Sequence, residues 1–235
     1  MRKKFSVTLK YLVAIISFLG VVVACVFAGR DGFSVWPKRL LYFTQQSNIW
    51  IGAICLIIAI LLTIELKTKK KLVKDYLYVI KFVFTISITI TGIIFCSLLG
   101  PFAAGEYNAW SFSSLITHVF VPVLSILDFF VDDYKIIFKK WHTLLGLIPP
   151  FAYFIFATIL SLFNIDFGRG ELFPYFFLNI RSPAGFFGYV PAEPYPHLGT
   201  FYWLLIILIF ILLLSYLYYR LHPQTRKFIK QNKKT

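Results

Sequence analysis

Residues 40–66 read LLYFTQQSNIWIGAICLIIAILLTIEL, and the only charged side chain among them is Glu65, close to the C-terminal end. A helix needs about 20 mainly apolar residues to cross the hydrocarbon core of a bilayer, which is roughly 30 Å thick. This segment exceeds that length. It also lacks the alternation of apolar and polar residues that is typical of a barrel strand facing lipid. The segment therefore predicts a transmembrane helix.

Segments of the same character recur along the whole chain. Of its 235 residues, 59% are hydrophobic and 14% are charged, whereas about half of a soluble domain is apolar. The excess must face lipid, so we predict an all-α fold: a polytopic bundle of six transmembrane helices that forms a single membrane domain over residues 1–235. The predicted spans are 9–29, 40–66, 77–99, 111–130, 143–163 and 200–219, with a long loop at 164–199.

The net charge of +14 is distributed unevenly around these spans. Most basic residues lie in the two terminal segments, in the loop after the second span and in the loop after the fourth span. The remaining loops, on the opposite side of the membrane, carry equal numbers of basic and acidic residues. The positive-inside rule predicts that both termini are cytoplasmic and that loop 164–199 is external. The basic excess is then an orientation signal with affinity for anionic lipid headgroups, and no nucleic-acid partner is expected.

The sequence offers no pattern for a metal ion or another cofactor. Its four histidines lie in different segments, without neighbouring cysteines or carboxylates that would complete a ligand set. The three cysteines, Cys25, Cys55 and Cys96, all lie inside predicted spans, so no disulfide framework is indicated.

One imidazole lies at membrane depth, where polar side chains are costly to bury. His118 follows Ser111 by seven residues, which places it roughly 10 Å below the membrane boundary at 1.5 Å per residue. Ser114 and Ser125 share its helix face. Pro122 has no N–H to donate to the His118 carbonyl, so we expect a kink with a free acceptor beside the imidazole.

A second polar group stands at the start of the second span, Thr44-Gln45-Gln46-Ser47-Asn48. Because the second and fourth spans run in the same direction, Thr44 and His118 have similar depths. An imidazole can act as the general base for a hydroxyl nucleophile, so we predict that the two side chains lie within about 3–5 Å of each other. Gln45, Ser47 and Asn48 are candidate donors to an oxyanion, as are backbone amides near the start of the second span.

Other interpretations of this pair stay open. Thr44 could be a helix N-cap, and His118 could form an interhelical hydrogen bond. Both residues could also line a transport path, since ionisable groups inside membranes often do.

The long loop is rich in aromatic residues, including Phe173, Tyr175, Phe176 and Phe177. Such side chains are favoured at the interface between membrane and water. Two interpretations follow: these residues form a lid over a site that is open to lipid, or they belong to an aromatic belt that anchors the loop.

Several short motifs are similar to those of one family of membrane proteins. They are Leu41-Tyr42-Phe43-Thr44 with Ser47-Asn48, His118 with Pro122, Leu127-Asp128, and Phe173-Pro174-Tyr175-Phe176-Phe177-Leu178. In this order they resemble the androgen-induced and androgen-dependent TFPI-regulating protein family, over roughly residues 9–220. Its mammalian members are membrane threonine hydrolases that act on fatty acid esters of hydroxy fatty acids.

The resemblance implies that Thr44 is the nucleophile and that His118 is the second essential residue. Phe176 stands where the family motif has a second proline, and the residues after Thr44 are more similar to the bacterial branch. The sequence thus predicts a lipid-ester hydrolase of a bacterial cytoplasmic membrane, which takes its lipid substrate from the membrane without a cofactor. The alternatives are a lipid acyltransferase with the same pair, and a non-catalytic transporter or lipid-binding protein.

The predicted topology can be tested by labelling single cysteines introduced into the chain in intact cells. Cysteines near residues 34 and 180 should react with a membrane-impermeant reagent. Those near residues 70, 136 and 230 should react only after the membrane is permeabilised, because the basic loops stay in the cytoplasm. Labelling of residue 230 in intact cells would contradict the six-span topology.

Overall fold

The computed structural model describes residues 2–101, 109–132, 136–191 and 197–232. Part of the predicted long loop, residues 192–196, lies outside this description. Within the described residues, six helices are long and apolar enough to cross a membrane. The all-α, six-helix prediction is therefore confirmed, and the chain is a multi-pass membrane protein. The spans, numbered from first to sixth, are Lys3–Val26, Phe43–Thr68, Asp75–Leu99, Phe112–Val131, His142–Leu162 and Thr200–Leu221.

In the described parts of the chain, the spans are built from eight α-helices and two π-helical turns, and a ninth α-helix follows the sixth span. The α-helices are α1 Arg2–Val26, α2 Phe43–Thr68, α3 Asp75–Ile94, α4 Phe112–Leu115, α5 Val121–Val131, α6 His142–Leu145, α7 Ile148–Leu162, α8 Thr200–Leu221 and α9 Pro223–Gln231. The π-helical turns are Phe95–Leu99 and Ile116–Phe120. Short 3₁₀ helices cover Ala28–Asp31, Trp36–Leu41 and Phe176–Leu178. A small antiparallel hairpin pairs β1 Tyr189–Val190 with β2 His197–Leu198.

The start of the first helix, the last helix and the described parts of the lysine-rich loops lie at one end of the bundle, which we call the basic end. Lys3 contacts Glu65 there at 3.2 Å, and the Phe138 N–H donates to the Thr225 hydroxyl at 3.0 Å. The opposite end, called the loop end, contains residues 27–42 and the long loop.

The first helix differs most from its predicted bounds, because it begins at Arg2 rather than residue 9. Lys10 therefore belongs to a helix and not to a solvated terminal segment, and its side chain is 0% exposed. Lys81 is likewise helical and 1% exposed, rather than part of the second loop. Neither lysine therefore adds to the charge of the solvated basic segments, although both lie next to them in the sequence.

These lysines are buried because two aspartates of the fourth helical segment neutralise them. Lys10 Nζ lies 3.0 Å from Asp128 and 2.9 Å from Asp132, and Lys81 Nζ lies 2.5 Å and 2.9 Å from the same carboxylates. Asp132 follows the fourth span. Burial raises the pKa of its carboxyl, but the two ammonium groups outweigh this and hold the pKa below its usual range. The resulting ion cluster ties the first, third and fourth spans together.

Removing one lysine of the cluster should destabilise the protein strongly. In Lys81→Leu the two carboxylates share one remaining cation, and breaking a buried ion pair typically costs about 3–5 kcal/mol. Thermal unfolding in detergent should show a clear decrease in the midpoint. The exposed Lys67 offers the matched control, since Lys67→Leu should leave the midpoint unchanged. Equal midpoints for the two variants would contradict a structural role for the cluster.

Candidate active site

Thr44 and His118 face each other near the loop end of the bundle. Thr44 Oγ1 lies 3.2 Å from His118 Nε2, within the predicted range, and both side chains are buried. The second span begins at Phe43 with Tyr42 as its N-cap, and no side chain caps it. Thr44 is therefore not the N-cap, and its hydroxyl is directed at the imidazole.

A main-chain carbonyl fixes the protonation of the imidazole. His118 Nδ1 lies 2.9 Å from the Ser114 carbonyl oxygen. Because a carbonyl only accepts hydrogen bonds, Nδ1 must carry the proton in the neutral ring. Nε2 then presents its lone pair to Thr44 Oγ1, and the hydroxyl donates. The hydroxyls of Ser114 and Thr117 also lie near Nδ1, at 3.1 and 3.2 Å.

The backbone around His118 is π-helical between Ile116 and Phe120. Pro122 follows four residues after His118 and cannot donate an N–H to its carbonyl, so an uninterrupted α-helical hydrogen-bond ladder is impossible here. Single π-helical turns inside helices are frequent at functional sites. The sequence predicts a disruption at this proline, and the structure shows it as a π-helical turn.

Gly92 allows the third span to approach this turn closely. A Cβ added at Gly92 would lie 2.9 Å from the His118 carbonyl oxygen and 3.0 Å from Pro122 Cβ. Small residues permit such close approach of backbones in membrane bundles. The position of His118 therefore depends on the glycine opposite it.

Phe95 completes the immediate surroundings of the imidazole. Its ring stacks on that of His118 with 3.8 Å between centroids and 18° between planes, and it is 2% exposed. The stacking leaves the ring little freedom to rotate away from Thr44. The sequence contains no signal for this role, because Phe95 is one of 27 phenylalanines and its partner is distant along the chain.

The predicted oxyanion donors are engaged elsewhere. Asn48 Nδ2 donates to the carbonyls of Thr44 and Thr117, at 2.8 and 3.1 Å. Ser47 Oγ donates to the Thr44 carbonyl at 3.0 Å and lies 2.9 Å from Thr91 Oγ1. These two side chains tie the second span to its neighbours.

Gln45 is buried, and its Oε1 has no hydrogen-bond partner among the described residues. Gln45, Ser47 and Asn48 are all missing from the lining of the cavity beside Thr44. The arrangement therefore offers none of the three as a donor toward that cavity.

An apolar cavity of about 290 Å³ adjoins Thr44. It is enclosed by the second, third, fifth and sixth spans and by the long loop. Tyr153, which sequence reasoning missed, lines it and donates its hydroxyl to the Leu41 carbonyl at 3.0 Å. The lining residues are Phe43, Thr44, Ile90, Thr91, Ile94, Leu99, Leu147, Pro150, Phe151, Tyr153, Phe154, Tyr175, Phe177, Leu178, Phe201, Leu204, Leu205, Ile207, Leu208 and Ile211.

The four predicted lid residues have different positions. Tyr175 and Phe177 line the cavity, with their rings stacked at 5.1 Å. Phe173 is buried in the apolar cluster beneath the loop. Phe176 is 39% exposed and packs edge-on against Trp203. Phe173 and Phe176 are not among the cavity-lining residues, so only half of the predicted set covers the cavity.

One ion pair and a main-chain hydrogen bond fasten the long loop to the segment before Thr44. Lys38 pairs with Asp166, and this hydrogen bond is the main reason why the pKa of the Asp166 carboxyl is lowered. The Ser34 N–H donates to the Gly168 carbonyl at 2.8 Å. These contacts hold Tyr175 and Phe177 over the start of the second span.

In the parts of the chain that the structure describes, no group of three or more His, Cys, Asp or Glu residues could hold a metal ion. Comparison of the chain with models of protein families, with curated proteins and with solved structures finds no match. The chemistry of the site must therefore be argued from its own geometry.

Filling the space at Gly92 should disturb the site. In Gly92→Val the new methyl groups collide with the His118 carbonyl and Pro122, and overpacking of this kind costs about 1–3 kcal/mol. Thermal unfolding in detergent should show a lower midpoint. Gly29 has no heavy atom within 4 Å of an added Cβ, so Gly29→Ala is the control and should be neutral. A neutral Gly92→Val would show that the close contact does not hold the fourth span in place.

Proposed function

We propose that this chain is a membrane lipid-ester hydrolase in which Thr44 is the nucleophile and His118 is the general base. The observation that carries the proposal is the relay from Thr44 Oγ1 through the imidazole to the Ser114 carbonyl, at the wall of an apolar cavity. Thr44 lines the space where an acyl chain fits, and its hydroxyl contacts the proposed base.

The reaction follows from this arrangement. His118 Nε2 takes the hydroxyl proton as Thr44 Oγ1 attacks the acyl carbonyl, and a tetrahedral oxyanion forms. The imidazolium then gives its proton to the alcohol oxygen as the ester C–O bond breaks, leaving an acyl ester on Thr44. Water attacks this ester with His118 again as base. The fatty acid leaves, and the proton returns to Thr44.

The oxyanion needs a hydrogen-bond donor other than the predicted side chains. The N–H groups of the first helical turn have no acceptor within their own helix. Here those of Gln45 and Gln46 donate to the Tyr42 carbonyl. The N–H of Thr44 itself is our candidate, and the positive end of the helix dipole supports it.

A carbonyl replaces the carboxylate that completes a catalytic triad. Asp128 follows His118 by ten residues, about 15 Å along a helix, and belongs to the ion cluster. The Ser114 carbonyl orients the imidazole as a triad carboxylate would, but it adds no negative charge to stabilise the imidazolium. We therefore expect a slower enzyme than a triad hydrolase.

The proposed setting is a bacterial cytoplasmic membrane, with the basic end in the cytoplasm. The distribution of basic residues supports this orientation, which places Thr44 in the outer half of the membrane. The resemblance to the family of threonine hydrolases favours a fatty-acyl ester, such as a fatty acid ester of a hydroxy fatty acid, as the substrate class.

A fluorophosphonate probe tests the proposal, because it traps an activated hydroxyl. Labelling should map to Thr44 and vanish in Thr44→Ala. It should fall about 10²–10⁴-fold in His118→Ala, since loss of a general base has effects of this size. Thr63→Ala, in the same span, is the control and should label normally.

A transporter or binding protein would give no labelling, and persistent labelling of Thr44→Ala would disprove the assignment of the nucleophile. An acyltransferase would label as well, but it would need an added lipid acceptor for turnover.

A further inference from the structure

The fifth and sixth spans touch closely at one point near the basic end. A Cβ added at Gly146 would collide with the hydroxyl oxygen of Ser215. Two cavity-lining residues lie next to this contact. Leu147 directly follows Gly146, and Ile211 precedes Ser215 by one helical turn. The contact therefore closes the cavity at its deep end.

Toward the loop end the same two spans leave a gap between them. Phe151, Leu205 and Leu208 line the cavity and are also 63%, 46% and 41% exposed. Side chains that line the cavity and are also exposed on the outside of the bundle show that the cavity opens between these two spans. Because these spans face lipid, the opening leads into the bilayer and not into water. We call this space, from the opening to the contact at Gly146, the lateral groove.

Thr44 stands near the outer end of the lateral groove. The ring of Tyr153, in the fifth span, contacts that of Phe43 beside Thr44, with centroids 5.2 Å apart. Gly146 precedes Tyr153 by seven residues, which corresponds to about 10 Å along a helix. The groove therefore extends about 10 Å from the level of the Thr44 hydroxyl to its closed end.

We infer that the lateral groove binds the acyl chain of a single lipid ester, which enters from the membrane between the fifth and sixth spans. The contact of Gly146 with Ser215 sets the longest chain that fits while the carbonyl stays at Thr44. This inference rests on the proposed function, because Thr44 defines the position of the carbonyl.

The dimensions of the groove identify the chain length. An extended peptide residue has three backbone bonds and spans up to about 3.6 Å, which is about 1.2 Å per bond. An extended acyl chain advances by a similar distance per bond, so a groove of about 10 Å accommodates roughly eight carbons. The volume of about 290 Å³ is close to the lower limit of roughly 300 Å³ for ligand pockets. The groove therefore fits one chain of medium length and not the paired chains of a diacyl lipid.

A series of p-nitrophenyl esters from acetate to palmitate tests the chain length on the purified full chain in detergent. For the unmodified protein, kcat/KM should rise with chain length to roughly eight carbons and then fall. Leu147→Ala removes side-chain volume at the closed end, so the optimum should move to longer chains.

Leu208→Trp obstructs the opening and should lower kcat/KM for the octanoate ester by about tenfold or more, since small misfits in apolar pockets have effects of this size. In both variants kcat/KM for the acetate ester should change much less than kcat/KM for the octanoate ester, so the ratio of the two values reports the fit of the chain. Leu213→Trp, on the same span but 63% exposed and outside the cavity lining, is the control and should keep the unmodified profile.

A photo-cross-linking experiment tests occupancy without catalysis. An octanoate ester with a diazirine at the chain end, added to Thr44→Ala, should cross-link to residues near Leu147 and Ile211. Cross-links confined to other spans would overturn the groove assignment. The groove assignment would also be overturned if kcat/KM did not depend on chain length in a protein whose Thr44 reacts with the fluorophosphonate probe. In that case the proposed hydrolase activity would remain supported. Absence of probe labelling together with cross-links in the groove would instead refute the hydrolase and leave a lipid-binding groove.

Discussion

No water is available in the hydrocarbon core of a bilayer, so a charged or polar group that has no partner inside the protein is costly there. This constraint accounts for the partners of three ionisable side chains that are buried in the spans, Lys10, Lys81 and His118. At the basic end, Lys10 and Lys81 are buried only because Asp128 and Asp132 meet them. At the loop end, His118 is buried because the Ser114 carbonyl and the Thr44 hydroxyl satisfy its two nitrogens.

The two groups have different consequences. The ion cluster has a cation for each carboxylate and joins three spans, so it serves to hold the bundle together. The Thr44–His118 pair instead adjoins an apolar cavity, which binds the substrate under our proposal. In our account the imidazole is kept in place by the helices that the ion cluster joins, by the close contact at Gly92 and by the ring of Phe95. Reactivity then depends on geometry that the membrane protein maintains before substrate arrives.

The sequence predicted the six helices and the proximity of Thr44 and His118, because hydrophobic length and helical rise are local properties. It could not predict the partners of Lys10, since Asp128 is 118 residues away and two charges at the ends of separate spans look like loop charges. For the same reason the sequence could not predict the stacking of Phe95 on His118. Ser47 and Asn48 were predicted as donors to a substrate from their helix face, but polar groups on that face also satisfy neighbouring backbones, as they do here.

The central claim is that Thr44 carries the acyl group during turnover. Peptide mass spectrometry after brief incubation with the octanoate ester and an acid quench tests it most directly. The account predicts that the peptide containing Thr44 gains the mass of one octanoyl group in place of a hydrogen, and that fragmentation assigns the group to the Thr44 hydroxyl. Hydrolysis of the ester with an octanoyl group on another residue, and none on Thr44, would contradict it.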